Sequence, residues 1–594
     1  MSHDEEPLGR AYDARLLRRL LQFLRPHWAL TALALLLLLV AAVLTLAGPR
    51  LTQHALDVAI PARDTGLLTT LALLFLAALA LEFIADYAQA LLTTTIGQRV
   101  MREIRLRLFT HLQRLSIPYY DRHPVGRLMT RVTSDVETLN ELFSSGLVTV
   151  FGDIFALVAI MGMMLMMDWR LALVAFAVIP LVWGVVTLFR RSVREAFRVI
   201  RVRLARINAF LQEHLSGMRV VQLFGRQRAA FGEFDRLNRE HLDAHLRSIR
   251  IYALFFPAVE FLATLALGLL LWYGGLRTLD GTVTVGTLAA FIQLSRRFFQ
   301  PLQDLSEKVN LLQGAMASSE RIFELLDAPI TVREPDAPVL LPRPARGEVR
   351  FEHVWFRYAD DGPWVLRDVS FTAAPGRTIA LVGHTGAGKT TVISLLLRFY
   401  DATRGTITVD GVDIRSLATS DLRALIGFVQ QDLFLFTGDI LRNLVLDAPI
   451  GEAEARLAAE RVGADRFIAR LPEGYRHQLG ERGRSLSVGE RQLLSFARAL
   501  ALDPAILVLD EATSSVDAEA EAQIQEAIAA LMAGRTSIVV AHRLSTILHA
   551  DEILVLHHGE IRERGTHREL LAAGGLYQRL YELQIRGVEV RRTA

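Results

Sequence analysis

The sequence predicts a membrane α-helical domain of six spans with long cytoplasmic helix extensions, followed by an α/β P-loop domain. Three observations carry this reading. The chain has 594 residues, 52% of them hydrophobic, and a mean hydropathy of +0.30, too apolar for an ordinary soluble protein. Up to about residue 315 long apolar stretches alternate with arginine-rich ones, and from about 348 short β-branched runs alternate with helix patterns and glycine turns. A glycine-rich loop then lies between a strand pattern and a helix pattern in "TIALVGHTGAGKTTVISLLL".

The N-terminal segment, residues 1–26, is acidic, then basic, and runs into apolar sequence with no short core before a small-residue cleavage site. The first apolar stretch therefore reads as a retained span. A span needs roughly 20 apolar residues. Within the domain 27–327, candidates lie near 28–48, 67–93, 143–167, 169–190, 251–274 and 284–306. "WALTALALLLLLVAAVLTLAG" is apolar on every helical face, which a soluble core helix is not. Arginines crowd before the first span, between the second and third, and between the fourth and fifth, whereas "MMDWR" and "GGLRTLDGTVTVG" are short and arginine-poor. Positive-inside logic puts both termini in the cytoplasm of a multi-pass protein of the cell membrane. The arginine-rich segments have helical periodicity and are too long for turns, so they continue the spans into the cytoplasm.

The formal charge of +3 shows no excess that would favour nucleic acid. Cysteine is absent, which excludes disulfides and thiolate metal sites, and lysine occurs only at Lys308 and Lys389. Pro329, Pro335, Pro338, Pro342 and Pro344 mark a stiff linker over 328–347, and the α/β domain occupies 348–594.

Gly383 and Gly388 with Lys389 and Thr390 fit the P-loop pattern. Glycines let backbone N–H groups of Gly383, His384, Thr385, Gly386, Ala387, Gly388, Lys389, Thr390 and Thr391 close around phosphates at a positive helix end. Lys389 is expected to reach the β and γ phosphates of ATP, and Thr390 to ligate Mg²⁺. In "AILVLDEAT" a buried strand brings Asp510 out at its carboxyl end, where it is expected to hold Mg²⁺ through water. Glu511 is placed to orient and deprotonate the attacking water, and His542, ending "TSIVVAH", to contact the γ-phosphate.

With these motifs in this order, nearly the whole chain resembles the ABC exporter half-transporters, which carry six spans ahead of one nucleotide-binding domain. The resemblance implies that Tyr358 stacks on adenine. It implies that Gln431, rather than the adjacent Gln430, senses Mg²⁺ and the γ-phosphate. It further implies that "LGERG" (479–483) meets intracellular loops, that Ser514 to Asp517 cross a dimer interface, and that "PYYDRHPVGRLMTRVTSD" and "VVQLFGRQRAAFGEF" contain short coupling helices. In this family ATP lies between two nucleotide domains, each site taking the P-loop of one and the signature of the other, so a second half-transporter is required.

The signature reads "LSVGE", with Ser487 and Gly489 retained but Val488 and Glu490 in place of glycine and glutamine. A β-branched Val488 disfavours positive φ, and Glu490 puts a carboxylate near a polyanion; each change is expected to weaken the clamp. Intact hydrolytic residues beside an altered signature resemble one subunit of a heterodimer with one catalytic and one degenerate site. A homodimer that tolerates both changes is the alternative. Glu82, Asp86, Asp153, Glu260, Arg296 and Arg297 fall inside spans. Such charges face a cavity for amphipathic cargo (drugs, lipids or peptides) or pair with one another. A channel or regulator of the same architecture is the other functional class.

Overall fold

The computed structural model describes residues 14–431, 433–510, 518–540 and 547–583, with side chains at 14, 145–149, 299–310, 313 and 518–520 excepted. The chain divides into two compact units. One runs through Gln113 and resumes over Val125–Ala328; the other comprises Arg114–Pro124 and the chain from Pro329 onward.

The first unit is helical. Its long helices are α1 (Trp28–His54), α2 (Thr65–Arg114), α3 (Leu147–Met167), α4 (Ile179–Ser216), α5 (Gln227–Leu279) and α6 (Val285–Leu326). Among the described residues five helical stretches are long and apolar enough to cross a membrane: Arg25–Ala59, Thr65–Arg114, Val150–Met167, Trp169–Ser216 and Gln227–Leu279. The sixth expected span falls in α6, which is 42 residues long, carries Arg296 and Arg297, and lies outside that set. The helices α2 and α5 have 50 and 53 residues. At about 1.5 Å per residue each spans roughly 75–80 Å, over twice a hydrocarbon core of about 30 Å, so long extensions leave the bilayer.

Burial in this unit is inverted relative to a soluble bundle. Phe83, Trp183, Phe261 and Trp272 are 67–73% exposed, a distribution that water would penalise and lipid does not. Inside, Ile160, Met164, Leu171, Leu270, Phe291 and Leu294 form a common core. The "MMDWR" loop is closed by Asp168. Its carboxylate caps the next helix by accepting from the N–H groups of Arg170 and Leu171 at 2.9 and 3.0 Å, and it pairs with Arg277 at 2.8 Å. In the extensions, Phe189 stacks on Phe255 with ring centroids 3.8 Å apart, and Glu240 pairs with Arg203 and Arg236.

The second unit is α/β. Its strands are β1 (Val349–Phe356), β2 (Leu366–Ala373), β3 (Thr378–Val382), β4 (Arg404–Val409), β5 (Val412–Asp413), β6 (Ile426–Val429), β7 (Gly438–Asp439), β8 (Gln478–Leu479), β9 (Ile506–Asp510), β10 (Thr536–Val540), β11 (Glu552–His557) and β12 (Glu560–Gly565). An antiparallel sheet has the order β2-β1-β4-β5, and a larger one the order β12-β11-β3-β10-β9-β6. In the larger sheet β6, β9, β10, β3 and β11 are parallel, and β12 closes one edge antiparallel. Every residue of β3, β9 and β10 is buried, as their continuous β-branched runs require of central parallel strands.

The proline-rich segment forms no helix or strand, yet it is bound along its length to the second unit. Val339 N–H donates to the Ser416 carbonyl at 2.9 Å, and the Arg398 guanidinium donates to the Arg333 carbonyl at 2.8 Å. Glu334 accepts from Thr419 N–H at 3.0 Å and from its hydroxyl.

Candidate active site

The phosphate loop leaves the carboxyl end of β3, and its glycines set its path. Gly386 and Gly388 have φ of +82° and +105°, a region that side chains avoid. At Gly388 a Cβ would also fall 2.6 Å from Leu366 Cδ2, and at Gly383 it would fall 2.4 Å from the Leu556 carbonyl oxygen. Glycine is thus demanded by conformation and by close approach together. Gly388 caps helix α7 (Lys389–Leu396). Lys389 is buried; its ammonium donates to the carbonyls of Gly383 and His384 at 2.7 and 3.0 Å, which curls the loop around it. Burial lowers the Lys389 pKa, and the Asp510 carboxylate opposes that shift.

Asp510 ends β9 and is 7% exposed, and Thr390 stands exposed on the first turn of α7. A carboxylate at the carboxyl edge of the sheet and a hydroxyl on the P-loop helix are hard oxygen donors of the kind Mg²⁺ prefers. Tyr358 is 43% exposed, and its hydroxyl shares a 3.0 Å hydrogen bond with the Thr391 hydroxyl. Gln431 is exposed just beyond β6. Glu511, His542 and Ser514 to Asp517 lie outside the described residues.

The altered signature opens helix α8 (Val488–Ala501), and here the backbone corrects an expectation. Val488 is the first residue of the helix and has no positive φ, so its β-branch meets no left-handed strain. The substitution acts instead through a side chain that is 42% exposed. Glu490 is not simply a stray charge. Its carboxylate accepts from Ser487 N–H at 2.8 Å while the Ser487 hydroxyl accepts from Glu490 N–H at 3.2 Å, a reciprocal capping box.

A family model described as the ABC transporter transmembrane region matches residues 31–302, and one described as ABC transporter matches residues 366–514. The ABC transporter ATP-binding protein YknV of Bacillus subtilis is 38% identical over 584 residues, covering 98% of this chain and 96% of the relative. The chain belongs to the ABC transporter family. The ATP-dependent lipid A-core flippase of Syntrophus aciditrophicus is 37% identical over 570 residues, covering 96% of this chain and 94% of the flippase. A solved structure of a bacterial Atm1-family ABC exporter with ATP bound is similar with a TM-score of 0.77 at 29% identity, covering 96% and 99% of the two chains. This ABC transporter is an exporter-like half-transporter and a multi-pass membrane protein. Its nucleotide-binding domain binds ATP and couples its hydrolysis to transport.

Two sets of contacts in this ABC transporter have no signature in its sequence. The short helix Ile117–Arg122, within the segment that the family resemblance marks for coupling, belongs with the α/β unit. The Tyr400 hydroxyl donates to Asp121, Arg122 donates to the Tyr358 carbonyl at 2.8 Å, and Val332 N–H donates to the Ser116 hydroxyl at 2.9 Å. Burial, then the Asp121 carboxylate, hold the Tyr400 phenol above its ordinary range. The second set centres on Arg498 of α8. It donates to the carbonyls of Asn443 and Phe434 at 2.8 and 3.0 Å, joining the signature helix to the segment after Gln431. An arginine in "FARAL" carries no pattern that distinguishes it from a solvated one.

In the membrane unit Glu82 accepts from the Thr45 hydroxyl at 2.7 Å and lies 3.9 Å from Arg297, which donates to the Thr45 carbonyl at 2.7 Å. Asp86, Glu260 and Arg296 are exposed, and Asp153 is half-buried.

Proposed function

We propose that this ABC transporter exports amphipathic cargo by alternating access, as one subunit of a heterodimer with one catalytic and one degenerate ATP site. The observation that carries the reading is the pairing of complete hydrolytic residues with the LSVGE signature. In this reading Lys389 and the backbone of Gly383 to Thr391 hold the phosphates of ATP. Tyr358 stacks on its adenine. Thr390, Asp510 and Gln431 would hold Mg²⁺, which would supply positive charge to the phosphates. Glu511 takes the proton of the attacking water, and His542 stabilises the γ-phosphate. Ser487 and Gly489 face the nucleotide of the partner. The resemblance to a lipid A-core flippase supports a lipid-like cargo, and the mixed signs of the exposed Asp86, Glu260 and Arg296 suit a molecule with both apolar and charged parts.

The capping box adds a physical reason for a weakened signature. With the Glu490 carboxylate drawn back over the helix N-terminus, a negative charge stands where α8 would otherwise offer positive potential to a phosphate.

The test is to purify the chain expressed alone and measure its stoichiometry and hydrolysis, with Glu511→Gln as reference. In that variant ATP binding persists and hydrolysis falls by roughly two to four orders of magnitude. A self-assembled complex of this chain alone, hydrolysing at two equivalent sites, would overturn the heterodimer and leave a homodimeric exporter.

A further inference from the structure

A group of three histidines stands beside the phosphate loop. The strands β3 and β11 run parallel with Val382 opposite Val555, so the second residue beyond each, His384 and His557, emerges at the same level of the sheet. The next residue, His558, begins the two-residue turn to β12. It has φ of +50°, followed by Gly559 at +84°. That turn is fixed by its neighbours. A Cβ at Gly559 would lie 2.2 Å from the Val365 carbonyl oxygen, and the Gly559 carbonyl accepts from Arg367 N–H at 2.8 Å. The close approach of Gly383 to the Leu556 carbonyl draws the P-loop against the same strand end.

The result is a cluster of imidazoles on rigid supports. Ring centroids are 5.1 Å apart for His384 and His557, 5.3 Å for His384 and His558, and 4.2 Å for His557 and His558. One ring nitrogen from each of the three lies within 4.8 Å of the others. The His384 Nδ1–H donates to the Thr385 carbonyl at 2.7 Å, which fixes its tautomer and leaves Nε2 with the free lone pair. This is the outer hydrogen bond that metal-ligating histidines characteristically make.

We propose that His384, His557 and His558 bind a divalent transition metal of the zinc type, and that the bound ion ties the P-loop to the β11–β12 turn and slows ATP hydrolysis. Three imidazoles suit zinc, nickel or copper and not the hard Mg²⁺ of the nucleotide. At zinc–nitrogen distances of about 2.0–2.1 Å, tetrahedral ligands stand about 3.4 Å apart. The cluster therefore has to contract by only about 1–1.5 Å, within reach of side-chain rotation because His384 and His558 are exposed. Water completes the fourth position. The ion bridges a loop that must adapt to phosphate and a turn held against Val365 and Arg367.

The experiment uses the full chain in its assembled complex, stripped by a chelator. It is titrated with zinc chloride by calorimetry without nucleotide, then assayed with Mg²⁺ and ATP over a range of zinc. The comparison is His557→Gln with His558→Asn, since asparagine tolerates the left-handed turn. The expected result is one zinc per chain in the natural protein, with affinity at least about tenfold weaker in the variant. Zinc inhibition of hydrolysis shifts in parallel, while hydrolysis without zinc is retained. Equal zinc affinity in the two proteins overturns the site. Binding at the triad without inhibition overturns the restraint. If the double variant loses hydrolysis without zinc, His557→Gln read by calorimetry alone decides the site, independently of any reading of the nucleotide chemistry.

Discussion

Lys389 sits at the point where two demands meet: burial weakens its charge, while two loop carbonyls and Asp510 favour it. In the proposed reading, Lys389→Ala removes the charge that faces the phosphates. Hydrolysis by the purified complex is expected to fall by about two to three orders of magnitude, the scale of losing one preorganised electrostatic group. At Glu490 the local and the functional roles separate. Glutamine closes the same capping box with Ser487, so Glu490→Gln should leave the thermal midpoint almost unchanged, whereas Glu490→Ala should cost about 0.5–1 kcal/mol of local stability. The S-x-x-E spacing of this box is legible in the sequence. The backbone conformation at 488 is not: a resemblance to a glycine-bearing motif suggests a strained position, and only the helical start of α8 shows that valine fits without strain. Gly383 and Gly388 are legible as a motif, but the reason they cannot be replaced lies in Leu556 and Leu366, residues distant in sequence that approach them in the fold.

At the scale of elements, the buried strands β3, β9 and β10 come directly from their continuous apolar runs, and the long helices from stretches that are apolar on all faces. Amphipathic short helices are less legible, because their partner is chosen by long-range packing. The helix Ile117–Arg122 shows this: nothing in "IPYYDR" announces that Tyr358 and Tyr400 receive it. Its contact with the Tyr358 carbonyl leads to a prediction. Arg122→Ala should loosen the Tyr358 segment and raise the KM for ATP about fivefold, the loss of roughly one net hydrogen bond, with a smaller change in kcat. Steady-state hydrolysis against ATP concentration measures it. An unchanged KM would mean that Tyr358 is held by Thr391 and its aromatic neighbours alone. Tyr400→Phe removes the donor to Asp121, and hydrogen exchange over 117–122 should then quicken while exchange in β3 does not.

For the whole molecule, subunit composition decides which ATP site the signature serves. Val488→Gly with Glu490→Gln repairs the signature towards the family pattern. In a heterodimer this acts on the site lacking a good base, so hydrolysis should change by less than about twofold; in a homodimer each repaired signature would face an intact Glu511, and turnover should rise well beyond that. The rate of this double variant is to be read beside the subunit stoichiometry. In the membrane unit Glu82 and Arg297 are in contact, whereas Asp86, Glu260 and Arg296 are exposed. Neutralising Asp86 or Arg296 should alter the preference between cationic and anionic cargo more than basal hydrolysis, while Glu82→Gln should chiefly reduce the yield of folded protein. Transport into vesicles and yield in detergent separate these outcomes.

The grouping of Arg114–Pro124 with the chain from Pro329 onward has a topological consequence. The polypeptide passes between the two units three times: after Gln113, after Pro124 and after Ala328. A single protease cut in the proline-rich segment severs only the last of these passages. The segment 114–124 keeps its peptide bonds to the first unit at both ends while it stays seated on the second, so the two pieces should remain together through a denaturant-free column. A fragment starting at Pro329 would lack the stitch that lies over Tyr358 and Tyr400. The Tyr400 hydroxyl and the Tyr358 carbonyl, which that segment satisfies in the intact chain, would lose those partners, and such a fragment should be less soluble than one in which 114–124 is restored by fusion.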